Sequence, residues 1–309
     1  MQTFASARIT IAGSKPGSGM SPVHPTHRLR EVRRRGTINV PLAAFVVSAL
    51  LLIVLAGWLW WSGDRDASNH SPPPLLVYCA GGLKEPLESI RVDYERDTGQ
   101  ILQIQYGGSN TLLTNLKISG QGDVFLPADE SYIAFAKRDC LIDQTVHVAE
   151  MRPIVAVRKG NPLGLRSLDD LVASRVRVSM TEPDAAATGK LVRDALIRAG
   201  RWDAFRERVT VFKPTVNDVA ADLKLGAVDA GVIWDSMLVA YPDFEEVPLP
   251  ELAGIEARVV AGVVTKSAQP KSALEFANYL AAPGRGQLHF QRNGFAPRPA
   301  TPAPAEERP

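Results

Sequence analysis

Hydrophobic and polar positions divide this chain into regions of very different texture. From Val40 to Trp61 the residues are almost all apolar, broken only by Pro41, Ser48 and Gly57, and the run ends in Trp58, Leu59, Trp60 and Trp61. From Leu75 to Phe295 short apolar runs alternate with helical patterns. Leu75–Cys79, Ile101–Tyr106, Val124–Leu126, Ile154–Val157, Val176–Ser179, Val209–Phe212, Ala230–Trp234 and Val259–Thr265 read as strands, each bounded by Gly, Pro, Asp or polar turns. Between them Leu83, Leu87, Ile90 and Tyr94 share one helix face, and Leu191, Val192, Ala195, Leu196 and Ala199 share another. Strand and helix in alternation, with several strands apolar throughout, predict a mostly parallel, doubly wound α/β sheet whose ligands bind beyond the carboxyl ends of its strands.

The long apolar run suffices to span a bilayer as a helix, which takes roughly 20 residues. Arg28, Arg30, Arg33, Arg34 and Arg35 precede it and the tryptophans follow it. The positive-inside rule therefore puts the N-terminus in the cytoplasm and everything after Ser62 on the other side of the membrane. No Ala-x-Ala site follows Trp61, and Tyr78 rather than a small residue precedes Cys79, so an uncleaved anchor is expected. The expected organisation is a basic, disordered cytoplasmic tail (1–37), a transmembrane anchor (38–61), a proline-stiffened linker (62–74), a folded part, and a Pro- and Ala-rich disordered tail (297–309).

Composition narrows the function classes. The 309 residues, 45% hydrophobic, suffice for one or two lobes with a sizeable core. The formal net charge is only +2 and its basic excess precedes residue 36, which argues against a nucleic-acid-binding surface on the folded part. His147 and His289 have no Cys, His or Asp at metal-ligand spacing, so neither a metal site nor a cofactor is expected.

Four stretches place small, uncharged residues just before a helix start: Cys79-Ala80-Gly81-Gly82-Leu83, Tyr106-Gly107-Gly108-Ser109-Asn110-Thr111, Ala185-Ala186-Ala187-Thr188-Gly189 and Pro214-Thr215-Val216-Asn217-Asp218. A helix N-terminus carries unpaired N–H groups and the positive end of the macrodipole, so it holds an anion without Lys or Arg. If the four ends converge they form a cage for a small oxyanion. Each also has a plainer reading: Ser109 as an N-cap, Trp234 as core, Lys84 as a solvated lysine, Asp184 as solvent-facing, and Asp235 as the cap of the short helix after Trp234.

The order and spacing of Val77-Tyr78-Cys79-Ala80-Gly81-Gly82-Leu83, Gly107-Gly108-Ser109-Asn110-Thr111-Leu112 and Gly122-Asp123-Val124-Phe125-Leu126-Pro127-Ala128-Asp129 resemble the first lobe of the molybdate-binding receptors of ABC transporters. Asn217-Asp218-Val219-Ala220-Ala221-Asp222-Leu223, Asp229-Ala230-Gly231-Val232-Ile233-Trp234-Asp235 and Gln291-Arg292-Asn293-Gly294-Phe295 resemble the rest. The resemblance implies a two-lobed type II periplasmic-binding fold, here preceded by one N-terminal transmembrane helix. Lobe 1 would comprise 75–156 and 259–296 and lobe 2 would comprise 157–258, with crossings near Val155–Arg158 and Arg258–Gly262. It further implies a membrane-tethered, monomeric, non-enzymatic receptor that closes on molybdate or tungstate and delivers it to an ABC permease and ATPase. The implied contacts are Gly82, Ser109, Thr188, Val219 and Trp234. Gly82 stands where the family usually has a serine and Trp234 where it usually has a tyrosine; an indole N–H donates but cannot accept.

Two other readings stay open in the sequence. One is a tethered anion-sensing or interaction module not coupled to transport. The other is a thiol enzyme using Cys79, whose place before a helix start would lower its pKa. Cys79 and Cys140 are the only cysteines, and their expected positions, at a strand end and after a helix, are too far apart for a disulfide.

Overall fold

The computed structural model describes residues 40–63, 72–173 and 175–297. The tail expected at 1–37, most of the linker, and all but Pro297 of the tail expected at 297–309 lie outside them; Pro297 pairs in a short strand instead. The N-terminal segment is a helix, α1 (Val40–Gly63, 24 residues), that carries no charged residue and ends two residues beyond the last tryptophan. Its described side chains, residues 47–58, are all exposed. Among the described residues no helix is long and apolar enough to cross a membrane.

The folded part begins with β1 (Leu75–Ala80), a turn of 3₁₀ helix (Gly81–Leu83) and α2 (Lys84–Thr98). Helix α2 buries Leu87, Ile90 and Tyr94 on one face, as their spacing predicts, each such side chain contributing about 1.5–3 kcal/mol of transfer free energy. It stops at Gly99, whose φ of 72° is a left-handed cap that a Cβ would disfavour. Next come β2 (Leu102–Gly107), α3 (Ser109–Ser119), β3 (Val124–Leu126), α4 (Glu130–Arg138, capped by the Asp129 carboxylate accepting from the Ser131 amide) and β4 (Ile142–Met151).

After Arg152 the chain enters a second sheet. Its elements are β5 (Pro153–Arg158), α5 (Leu168–Ala173), β6 (Val178–Thr181), α6 (Ala187–Arg198), α7 (Trp202–Arg208), β7 (Val209–Lys213), α8 (Val216–Lys224), β8 (Ala230–Trp234) and β9 (Phe244–Val247). The chain then returns to the first sheet as β10 (Ala257–Val264), followed by α9 (Pro270–Ala281), α10 (Gly286–Arg292) and β11 (Ala296–Pro297).

The sheets have strand orders β11-β4-β10-β3-β1-β2 and β7-β6-β8-β5-β9. Each contains a parallel triplet, β3-β1-β2 and β7-β6-β8, flanked by antiparallel pairings. The sheets are thus mixed rather than mostly parallel, because the strands next to the two crossings, β4, β5 and β10, run against their neighbours. The crossings lie at Arg152 and between Val247 and Ala257, not within 155–158 and 258–262. Val155, Ala156 and Val157 pair with both β8 and β9, so this apolar run belongs wholly to the second sheet. Met151 and Ala257 are register partners in β4 and β10, which brings the two crossings side by side.

Arg152 ties this hinge. Its guanidinium makes a bidentate contact to Glu246 at 2.7 Å on each arm and lies 3.4 Å from Asp235, whose other oxygen accepts from the Arg152 amide at 2.9 Å. Burial pushes the Asp235 carboxyl above the usual carboxylate range, although two amides and Arg152 pull it the other way. Asp235 therefore serves the hinge, and the carboxylate oxygen that takes the Arg152 amide also accepts from the Ser236 amide at 2.8 Å in the first turn of the following 3₁₀ helix, whose N-cap position is Trp234.

Candidate functional site: the cleft at six strand ends

All six strands of the two parallel triplets point their carboxyl ends at one place. The residues there are Ala80, Gly81 and Gly82 at the end of β1; Gly107, Gly108 and Ser109 at the end of β2; Ala128 after β3; Ala186, Ala187 and Thr188 after β6; Thr215 and Val216 after β7; and Trp234 at the end of β8. They enclose a cavity of about 10 Å³, near the room a single water needs by that measure. None of them carries a charge.

What lines the cavity is a set of donors. The amides of Gly82, Ser109, Thr188 and Val216 have no acceptor among the described residues. Ser109 is fully buried, and its hydroxyl oxygen accepts from the Ala128 amide at 3.1 Å, which leaves the hydroxyl proton to donate elsewhere. Gly108, not Ser109, is the N-cap of α3, so the N-cap reading of that serine does not hold. Thr188 and Trp234 are 2% and 1% exposed, and among the described residues neither the threonine hydroxyl nor the indole N–H has a partner. Helices α3 and α6 carry no acidic residue in their first turns, so their positive ends face the cavity uncompensated. Helix α8 differs: Thr215 and Asp218 form a capping box that uses its Asp218 amide and places a carboxylate in its first turn.

Of the sequence-predicted contacts, Gly82, Ser109, Thr188 and Trp234 meet at this cavity and Val219 does not. Val219 lies one turn into α8, is wholly buried, and donates its amide to the Thr215 carbonyl at 3.4 Å. Its side chain packs against β8, where a Cβ on Gly231 would stand 3.0 Å from Val219 Cγ1. The residue of α8 that reaches the cavity is Val216, the first helical position. The rule that only the first turn has free amides would have singled it out.

The two sheets also bond directly across the cleft. The Asn110 and Thr111 amides donate to the Ala185 carbonyl at 3.0 and 3.3 Å, and Asn110 Nδ2 donates to the Asp184 carbonyl at 2.7 Å. Asn217 Nδ2 donates to the Gly81 carbonyl at 2.9 Å. Two of the three leading amides of α3 are thereby spent on the opposite sheet, which leaves that of Ser109. A Cβ on Gly108 would fall 2.4 Å from the Ala185 carbonyl oxygen and 2.9 Å from that of Pro214, so glycine there is a requirement of lobe contact.

Charged neighbours stay outside. Lys84 Nζ sits 5.9 Å from the Tyr106 ring centroid. The Asp184 carboxylate is mostly exposed and pairs with Arg193 at 2.7 Å. Cys79 and Cys140 are free thiols. Cys79 is wholly buried and donates to the Ala80 carbonyl; burial, with Glu88 nearby, pushes its pKa well up, which is the opposite of nucleophile activation. Among the described residues no group of three or more His, Cys, Asp or Glu could hold a metal ion.

Two hinged α/β sheets with a donor-lined cleft at their facing strand ends define a type II periplasmic-binding protein. The bacterial extracellular solute-binding protein family matches residues 75–296, and the chain belongs to that family. It is 30% identical over 224 residues to a binding protein of Haemophilus influenzae (72% of this chain, 91% of that one). It is 26% identical over 266 residues to the molybdate-binding protein ModA of Mycobacterium tuberculosis (83% and 98%). The fold is similar to that of the periplasmic molybdate-binding protein of Azotobacter vinelandii, with a TM-score of 0.62 and 17% identity over 72% of this chain and 98% of that one.

Proposed function

We propose that this solute-binding protein captures a small, fully ionised tetrahedral oxyanion, molybdate or tungstate foremost, by hinge closure and hands it to the permease and ATPase of an ABC transporter. The observation that carries the reading is the cleft's lining: donors from both sheets, no cation, and no carboxylate. An oxyanion stripped of water needs several fixed donors, and rigid amides supply them with a geometry that a flexible lysine does not match. A lining without a carboxylate to take up a ligand's proton favours anions that carry no proton at neutral pH and disfavours hydrogen phosphate. Gly82, Ser109, Thr188, Val216 and Trp234 are the contacts in this reading.

The anion bridges both sheets, so only the closed form makes every contact, and binding selects that form. Ligand release to a permease then needs only reopening at Arg152, with no chemical step. The tether in this reading is the apolar run Val40–Trp61, and it rests on that run's length and composition in the sequence. Membrane fractionation checks the tether, since a chain shortened to begin at Pro72 should leave the membrane pellet for the supernatant.

The decisive experiment is a thermal-shift panel of molybdate, tungstate, sulfate, thiosulfate and phosphate. A ligand at about 100 times its Kd stabilises by about 2.7 kcal/mol. For a folded part of this size that raises Tm by roughly 5–10 °C. Molybdate and tungstate should produce the largest shifts and phosphate none.

A further inference from the structure

Gly82 and Trp234 approach from opposite sheets, one just after β1 and the other at the end of β8. A Cβ built on Gly82 would stand 2.6 Å from Trp234 Cδ1, 2.7 Å from its Nε1 and 3.3 Å from Val216 Cγ1. Side chains do not tolerate the first two separations, and the indole has nowhere to retreat because it is buried among packed residues. Gly82 is not in the left-handed backbone region, so its own conformation would admit any residue. The demand for glycine comes from the other lobe alone. It differs from the demand at Gly108, where the obstacle is backbone carbonyl oxygen that no side-chain change can remove.

We infer that Gly82 and Trp234 act as one interlocking unit, in which the indole is a wedge that seats only over a residue without a side chain. The pair thereby controls whether the cleft closes. The wedge also brings the unpartnered indole N–H to the cavity wall, at the place a side chain on residue 82 would otherwise occupy. Its role in setting the size of the bound anion, through how far the indole edge projects, rests on the oxyanion reading above.

The interlock is testable without any ligand, because the Asn110 and Thr111 amides report closure through their bonds to the Ala185 carbonyl. Hydrogen exchange read by mass spectrometry on the full chain in detergent micelles, with and without sodium molybdate, should show both amides protected in the wild type. Gly82→Val should speed their exchange at least tenfold while the amides of β1 keep wild-type protection. Gly82→Val combined with Trp234→Ala should recover wild-type rates to within about threefold. If Gly82→Val loosens the whole fold, Gly82→Ala, one methyl group, replaces it with the same expectations.

Unchanged exchange in the single glycine variants, no recovery in the double variant, or amides unprotected in the wild type with and without molybdate would each overturn the interlock. Trp234→Phe separates wedge from donor: it should keep the exchange protection and weaken molybdate binding about tenfold. If no oxyanion shifts the wild type, the oxyanion reading fails while the exchange rates still decide the interlock.

Discussion

At the hinge the crossing residue is fixed by charge: Arg152, between β4 and β5, grips Glu246 of β9 with both arms and faces Asp235 after β8. At the cleft the two sheets are joined by the opposite chemistry, the Asn110 and Thr111 amides and the Asn110 and Asn217 side chains donating to carbonyls of the facing sheet, and no ionised group stands on the cavity wall. The difference separates two tasks. An ion pair holds its partners in either position of a pivot, because exposed charges keep their attraction over a range of geometries in water. A charged side chain in the cleft would instead bind any passing counter-ion and couple closure to salt. Fixed dipoles discriminate by shape and by the absence of protons.

Placing charge in the neutral region should give the largest effect. Ser109→Asp puts a carboxylate where a dianion would sit; at ~4 Å and an effective dielectric near 20 the repulsion is about 4 kcal/mol per charge pair. The molybdate-induced Tm shift should vanish while the unliganded Tm stays within a few degrees of wild type, and a surviving shift would remove Ser109 from the site. Thr188→Val deletes one donor and keeps the shape. Calorimetry should show affinity reduced roughly ten- to a hundredfold, in line with about 1.5–3 kcal/mol for a hydrogen bond to a charged group.

Val219→Ala sharpens the comparison from the other side. It should lower Tm by several degrees through a core loss of about 1–3 kcal/mol and leave molybdate affinity unchanged; a loss of affinity without destabilisation would return Val219 to the site. The smallest effect belongs to the hinge. Asp235→Asn keeps the oxygen that accepts the Arg152 and Ser236 amides, and affinity should change less than threefold. The folded pKa of Asp235 is raised, so the folded protein holds this proton more firmly than the unfolded chain does. In the wild type this contributes a loss of stability as pH rises from about 4 through the folded value. Chemical denaturation across that window should show the pH slope reduced in Asp235→Asn.

Much of the cleft was legible in the sequence because its determinants are local. Small residues before an amphipathic helix mark a free N-terminus wherever the chain runs next, and Gly81-Gly82, Gly108-Ser109 and Ala187-Thr188 all reach the cavity. Of the strands in the parallel triplets, β1, β3 and β8 are legible as apolar runs buried almost throughout, whereas β2 and β7, at the sheet edges, are legible by alternation and stay partly exposed. Strand β4 was not legible, because Asp143, Gln144 and Thr145 leave its first half open to solvent and its pattern reads as loop. Strand β9, with Glu245 and Glu246 at its centre, was missed for the same reason. The crossings were misplaced because an apolar run states that it is buried without stating in which sheet. Val219, carried over from the resemblance, lies one turn beyond the cavity, whereas counting amides from the Thr215 cap leads to Val216. The glycine at 82 read as a lost donor; only the structure brings the Trp234 indole from more than 150 residues away to fill its space.

The central claim is that uncharged donors at the facing strand ends of the two sheets hold the anion. A crystal of the protein grown with sodium tungstate, with anomalous data collected at the tungsten edge, tests it most directly. The account predicts one dominant peak within hydrogen-bonding reach of the Gly82 and Thr188 amides, the Ser109 hydroxyl and the Trp234 indole N–H. A dominant peak against arginine or lysine side chains elsewhere, or no peak in the cleft at saturating tungstate, would contradict it.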